Sequence, residues 1–377
     1  MIAKQTAVSA SLVALLVGAP VSAFADPDDP DPVQPAGEVR PEQPPPPPPL
    51  VPRRRTGTFQ IGAGFAPDES FIATARIAQS NLFGTGHQLA LDARISSRRQ
   101  ELGASYDIPH LDGSALTLHT AMFATVHQLP GFTRAAAGGE AELRGPIGDN
   151  LNAFLGYRVQ HVQTTIDELD LARSQDGGSR VDPDLLLASI RAGLVYSTLD
   201  QPFLPTKGVQ LGASIEASDP RWGSDVRMTR FDSWGSVHVP VGPFIVHGGG
   251  SVSSITSPDP GGVPLSERLH FDGSSVLRGF RPGAIGPHDG ALSLGGNFAY
   301  TARGELEVPL SRRLGISAEA FIDHAGIFDA SGNGSTGTSV GFGLIWRSPI
   351  GPLRFDWAYP VGGDGKPAFV FGLGSSF

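Results

Sequence analysis

From residue 57 to its last residue the chain alternates with a period of two, in segments of about 10 to 13 residues, and holds no apolar run of 18. Leu89, Leu91, Ala93 and Ile95 alternate with Gln88, Ala90, Asp92, Arg94 and Ser96. Leu314, Ile316, Ala318, Ala320 and Ile322 alternate with Gly315, Ser317, Glu319, Phe321 and Asp323, and Leu353, Phe355, Trp357 and Tyr359 with Arg354, Asp356 and Ala358. Successive side chains of a strand point to opposite faces, so each segment carries one greasy and one charged face. A soluble sandwich alternates in the same way. The segment length, near the ~9–11 residues that cross a bilayer at a tilt, and the continuation of the pattern to Phe377 favour a transmembrane barrel.

Composition removes the other classes. With 49 Gly, 33 Pro, no Cys and 17% charged residues among 377, the chain is neither a coiled coil nor a disulfide scaffold. A net charge of -9 gives no surface for nucleic acid, and a mean hydropathy of -0.05 does not fit a bundle of membrane helices. Residues 1–25 read as a signal peptide: Lys4, an apolar run from Ser11 to Ala19, Pro20, then Ala23-Phe24-Ala25 in the form of a cleavage site. No Cys follows to carry a lipid anchor. An exported chain without a long apolar run can enter a membrane only as a barrel.

Residues 26–56 run through DPDDPDPVQP and six prolines (Pro44 to Pro49) to Arg53-Arg54-Arg55. Proline at this density favours an extended, solvated periplasmic tether and precludes helix or sheet. A ligand for a proline-recognising partner is the sharper alternative. From there the alternation predicts sixteen strands: 58–66, 70–80, 87–97, 99–108, 114–126, 134–145, 151–164, 185–198, 207–218, 226–238, 243–255, 293–308, 313–328, 337–347, 352–361 and 367–377. Short joins at 109–113, 146–150 and 348–351 and long ones at 165–184 and 256–292 suit a barrel whose long loops share one side. Asp112-Gly113 and Asp364-Gly365 are tight-turn signals.

Several motifs go beyond generic patterning. The long loop holds Ser266-Glu267-Arg268 and Gly273-Ser274-Ser275-Val276-Leu277-Arg278-Gly279-Phe280. Leu294-Gly295-Gly296-Asn297, Gly304 to Leu310 (GELEVPL) and Ala320 to Gly326 (AFIDHAG) follow, then Trp346 to Asp356 (WRSPIGPLRFD) and the closing FVFGLGSSF. Weaker echoes come earlier, at Asn81 to Gly86 and Pro202 to Gly208. In order and spacing this resembles the bacterial surface antigen superfamily, the sixteen-stranded barrels that include BamA-like and TamA-like outer-membrane assembly factors and the two-partner secretion transporters.

The resemblance implies that the long loop folds back into the lumen and presents Arg278-Gly279-Phe280, with Leu277 before it, to an acidic wall at Asp323 and Glu305. The alternation agrees, since Glu305, Glu307, Glu319 and Asp323 all lie on the charged faces, where a guanidinium binds a carboxylate through paired hydrogen bonds. It also implies that Phe369, Phe371, Leu373 and Phe377 form a C-terminal signal read by the cell's own barrel-assembly machinery. The first and last strands must pair to close the barrel, and Gly62, Gly64, Gly372 and Gly374 lie on their inner faces. Glycine weakens a strand and loosens its register, so this is either a seam that opens sideways or room for the inserted loop. Members with assembly roles carry periplasmic POTRA modules before the barrel, and residues 26–56 do not hold one. The chain is therefore expected to be POTRA-less and to find such a module in a partner protein.

The G-x-S-x-G run from Gly337 to Gly341 lies inside a predicted strand and makes no elbow, no phosphate loop or metal-ligand spacing of histidines is present, and neither catalysis nor a cofactor is expected. Two functions remain: a barrel of the surface antigen type inserting or translocating proteins or lipids, and a passive diffusion or structural barrel. A loop tied down by Arg278 opposes constant diffusion. So does an inner wall that mixes Arg94, Arg144 and Arg191 with Asp107, Glu140 and Glu142 instead of forming one selective ring. In either case outer-membrane lipids are the surrounding partner.

Overall fold

The computed structural model describes residues 57–166, 181–201, 204–273, 276–348, 351–362 and 365–373. The expected signal peptide and tether, together with Gly374 and Phe377, lie outside the described residues. Eleven strands come first: β1 (Gly57–Ala66), β2 (Ser70–Gln79), β3 (Gln88–Ile95), β4 (Arg99–Ile108), β5 (Thr117–Leu129) and β6 (Phe132–Pro146), then β7 (Leu151–Ile166), β8 (Asp184–Ser197), β9 (Gly208–Ser218), β10 (Met228–Val241) and β11 (Phe244–Thr256). Two residue pairs inside the long loop form β12 (His288–Asp289) and β13 (Leu292–Ser293). The wall resumes with β14 (Phe298–Ser311), β15 (Ile316–Phe328), β16 (Gly334–Ser348), β17 (Gly351–Pro360) and β18 (Ala368–Leu373).

Sixteen of these strands close into one antiparallel barrel, each beside its chain neighbour, with β11 against β14 and β18 against β1. Closure leaves no open sheet edge, which a membrane does not tolerate. Because the wall strands are even in number, β1 begins and β18 ends at the same end of the barrel, and the chain leaves β7 and β11 and re-enters β8 and β14 at the other. The faces follow the alternation: Phe59, Ile61, Met122, Leu155, Ile322 and Phe342 stand exposed on the outside, while Glu142, Glu307, Glu319, Asp323 and Asp356 are buried within. Such an outer belt would be unfavourable in water by roughly 25 cal/mol per Å² and is at home in hydrocarbon.

Three expectations need correction. The twelfth wall strand runs 298–311 instead of 293–308, because residues 292–297 still belong to the loop: Leu292 and Ser293 pair with β12, and Gly296 bridges back to Leu269. The fifth strand starts at Thr117 instead of 114, although Asp112-Gly113 does mark a tight turn. A tight 3-10 turn at Leu111–Gly113, with His110 and Asp112 in left-handed conformation, consumes those residues, and Leu111 N–H closes the join on the carbonyl of Leu116 at 2.9 Å. Join length also tracks side only loosely, since Ala66 to Ser70, Ile95 to Arg99 and Leu129 to Phe132 are short joins at the end that carries the long loops.

Candidate functional site

Residues 257–297 leave β11, turn into the barrel and rejoin the wall at β14. At its base the loop is drawn together by a two-way backbone bond, Leu269 N–H to the Gly296 carbonyl at 2.9 Å and its reciprocal at 2.8 Å. Apolar side chains then carry it across the lumen. Val263 and Leu269 pack with Val162, Leu185, Leu187, Met228 and Ile255 of β7, β8, β10 and β11. Leu265, Leu292 and Leu294 pack on Leu129 and Phe132 at the β5–β6 turn. Phe271, Leu277, Phe280 and Ile285 reach Ala325 and Ile327 on β15. The loop thus touches walls on several sides, and each fully buried Leu or Phe contributes about 1.5–3 kcal/mol.

The tip turns at Gly279, which has a φ of 88°. A Cβ there would be strained by the left-handed backbone and would also meet Pro360 Cγ at 2.9 Å, so this turn needs glycine. The turn aims Arg278, only 5% exposed, at three carboxylates on three strands. Its Nε donates to Asp323 Oδ2 at 2.7 Å and its Nη2 to Asp323 Oδ1 at 2.8 Å, the paired geometry. Nη2 also donates to Glu305 Oε1 at 2.9 Å, and Nη1 to Asp356 Oδ2 at 2.9 Å. The guanidinium carbon lies 3.3 Å from the centroid of the Phe321 ring, adding a cation–π contact. Burial alone would lower the pKa of Arg278, but its hydrogen bonds to Asp323 and the charges of Asp323, Glu305 and Asp356 raise it, so the group stays cationic.

The structure therefore brings together Leu277, Arg278, Gly279, Phe280, Asp323 and Glu305, all singled out from sequence, and adds Asp356. Asp356 was legible as a charged-face residue of the WRSPIGPLRFD motif, but nothing in the sequence ranks it above Glu307 or Glu319 as a partner. The rim contacts had no sequence signal at all: Arg99 with Asp272 at 2.7 Å, Arg134 with Glu267 at 2.8 Å and Arg227 with Asp259 at 2.8 Å. Across the lumen Arg191 bridges Glu140, Glu142 and Glu216, while Arg144 holds Glu142, Arg158 holds Glu140 and His119 meets Asp107. Arg94 is paired with Glu69. Charges so matched form no single-sign ring. Below the loop, toward the chain ends, remains a cavity of about 550 Å³ lined by residues including Leu204, His238, His247, Glu307 and Arg354. No group of three or more His, Cys, Asp or Glu among the described residues is placed to hold a metal ion.

At the seam, Ala63, Gly64 and Phe65 of β1 face Leu373, Gly372 and Phe371 of β18. These are three pairs among the described residues, against ten between β1 and β2. The other edge of β18 is better held, by six pairs with β17 and by Phe355–Phe371 and Trp357–Phe369 ring contacts at 5.1 and 5.2 Å. Gly62 lies on β1 below the paired stretch, buried on its inner face. Phe369 lies on the outer face of β18.

His270 adds a pH dependence to the loop. Burial pushes its pKa from the ordinary 6.5 down to about 4, and its Nε2 lies 2.9 Å from the Leu265 carbonyl, which a neutral N–H satisfies. In a loosened loop the imidazole regains its ordinary pKa, so over that interval the loose state binds the extra proton and loop retention falls as pH falls. Protease cutting within 257–297 should rise by up to about tenfold per pH unit between pH 6 and 4.5, and His270→Gln should flatten the rise. Equal slopes in both proteins would remove His270 from the account.

A family model described as the Omp85 superfamily domain matches residues 81–377. The chain is 25% identical over 341 residues to outer membrane protein assembly factor BamA of Nitratidesulfovibrio vulgaris, covering 87% of this chain and 42% of that protein. It is 26% identical over 357 residues to BamA of Neorickettsia risticii, covering 87% and 46%. Among solved structures, BamA from Haemophilus ducreyi lacking POTRA domains 1-3 matches with a TM-score of 0.71 at 22% identity, over 86% of this chain and 71% of that one. CdiB from Escherichia coli matches with a TM-score of 0.59 at 16% identity, over 86% and 63%. The chain spans less than half the length of the curated relatives it matches.

Proposed function

The chain belongs to the Omp85 superfamily, and from that premise we propose that it is a bacterial outer-membrane barrel that inserts or translocates proteins or lipids. The observation that carries this reading is the inserted loop: it crosses the lumen, is packed on walls from β5 to β15, and ends on Arg278 bound to three carboxylates. A lumen filled in this way opposes steady diffusion of small solutes. Cargo then has two routes, along the lumen after the loop has moved, or sideways through the narrow β1–β18 seam. Arg278, Leu277, Gly279 and Phe280 act as the loop's lock, Asp323, Glu305 and Asp356 as its wall, and Gly62, Gly64, Gly372 and Gly374 as the weak edge. Phe369, Phe371, Leu373 and Phe377 serve as the signal by which the cell's own machinery assembles this barrel. Recruitment of clients is assigned to a POTRA-containing partner, and no catalytic chemistry is assigned to the chain.

The test is electrical. Purified barrel in planar bilayers should show low, fluctuating conductance, and deletion of residues 270–285 should raise it several-fold into a steady open level. A large steady conductance from the intact chain would favour a passive diffusion channel instead.

A further inference from the structure

Around the loop tip the wall carries more than the lock requires. Four guanidinium groups, Arg278, Arg303, Arg347 and Arg354, face five carboxylates, Glu305, Glu307, Glu319, Asp323 and Asp356. Nearly every carboxylate oxygen has a cationic donor. Glu305 accepts from Arg278 and Arg354, Asp323 from Arg278 and Arg303, Glu307 from Arg347 through both oxygens, and Glu319 from Arg354 through both. Asp356 Oδ2 accepts from Arg278, but Asp356 Oδ1 is buried with no donor.

That oxygen does not face empty space. Glu319 on β15 and Asp356 on β17 are the two register partners of Gly343 on β16. They converge over Gly343, where an added Cβ would collide with both Asp356 Oδ1 and Glu319 Oε1. Both residues are almost wholly buried, at 4% and 3% exposure. Two anionic oxygens so close in such a place repel each other, whereas one proton between them supplies the missing donor and removes the excess negative charge. We propose that the network holding the inserted loop contains one bound proton, shared by Glu319 and Asp356 over the bare Cα of Gly343. It belongs to the pair more than to either residue.

Other groups facing the pair do not supply this donor. Arg354 is committed to Glu319 and Glu305 and reaches Asp356 only at Oδ2, 3.4 Å from its Nε, while Arg303 is committed to Asp323 and Arg347 to Glu307. Glu307, directly opposite Glu319 across the β14–β15 ladder, is also met by His247 Nε2 at 3.3 Å. His247, itself in contact with His238, is the other titratable group facing this part of the network. Because Arg278 brings a cation to Asp356, departure of the loop leaves the pair with a stronger hold on its proton, and loop release becomes linked to proton uptake.

The inference rests on contact geometry and not on what the barrel transports, so it can fail while the proposed function stands. The experiment uses the full-length protein in lipid at pH 7 and reads the infrared carbonyl band of a protonated carboxylic acid. The band is expected in the wild type and is lost in both Glu319→Gln and Asp356→Asn. Glu319→Gln, whose amide donates the hydrogen bond without a titrating proton, should keep the loop protected from protease to within about twofold. Between pH 7 and 9, above the range of His270, wild-type cutting should fall by up to about tenfold per pH unit and stay level in Glu319→Gln. A wild type without the band would remove the shared proton. A band surviving in both variants, or loop cutting equally level in wild type and variant, would also overturn the proposal.

Discussion

Arg278→Ala is expected to free the tip of the inserted loop while the sixteen-stranded wall stays closed. Removing the guanidinium leaves Asp323 and Asp356, both nearly inaccessible, beside Glu305 with the central cation gone. Breaking a buried ion pair from one side typically costs ~3–5 kcal/mol, here reduced where water reaches the lumen. That corresponds to at least a hundredfold rise in protease cutting near the tip. The wall does not depend on this contact, because its backbone ladders and lipid-facing side chains lie elsewhere, and the rim pairs Arg99–Asp272 and Arg134–Glu267 still hold the loop's base. A single variant can fail for unrelated reasons, so the measurement is a double-mutant cycle of Arg278→Ala with Asp323→Ala, read as cutting rate. Additive effects would mean the two side chains do not interact, and the lock would have to be withdrawn. Heat-modifiable migration of the barrel should be unchanged in every variant.

If the barrel inserts proteins through its seam as proposed, a disulfide across the seam should reduce that activity to background and release it again on reduction. Gly64 and Gly372 are directly opposite across β1 and β18, and side chains at such positions lie ~4.5–5.5 Å apart. The chain has no native Cys, so Gly64→Cys with Gly372→Cys forms the only bridge. Each additional register pair makes an edge harder to open, and β15–β16, with thirteen, provides the contrast. A bridge joining Ile322→Cys to Val340→Cys, on the outer face of that edge, should leave activity near the wild-type level. The readout is the outer-membrane content of other barrel proteins in cells that depend on the variant, before and after reductant. Full activity with the seam bridged would exclude sideways passage and leave only the lumen.

Much of this is legible in the sequence alone. Strand number, the two faces of each strand and the side on which the long loop lies follow from a period of two sustained over sixteen segments, because alternation is a local property of extended backbone. Glu305, Glu307, Glu319 and Asp323 were placed on the inner face by the same reasoning, and the structure buries all four side chains at or near the lumen wall. Where the chain leaves extended conformation the reading slipped. The left-handed His110 and Asp112 delayed the fifth strand, and the β12–β13 ladder delayed the twelfth wall strand.

The sequence by itself determined the barrel, its inward charges and, through the motif around Arg278, the loop that answers them. Tertiary structure alone decided which of those charges meet. Arg278 and Asp356 are 78 residues apart, and Arg99 and Asp272 are 173 apart. Alternation fixes whether a side chain points inward, but its height and its position around the wall depend on the register of every intervening strand pair and on the path of a loop without periodicity. The choice of Asp356 as third carboxylate, the donorless oxygen above Gly343 and the β1–β18 register all arise from barrel closure, which brings β14, β15, β17 and the loop tip around one buried guanidinium.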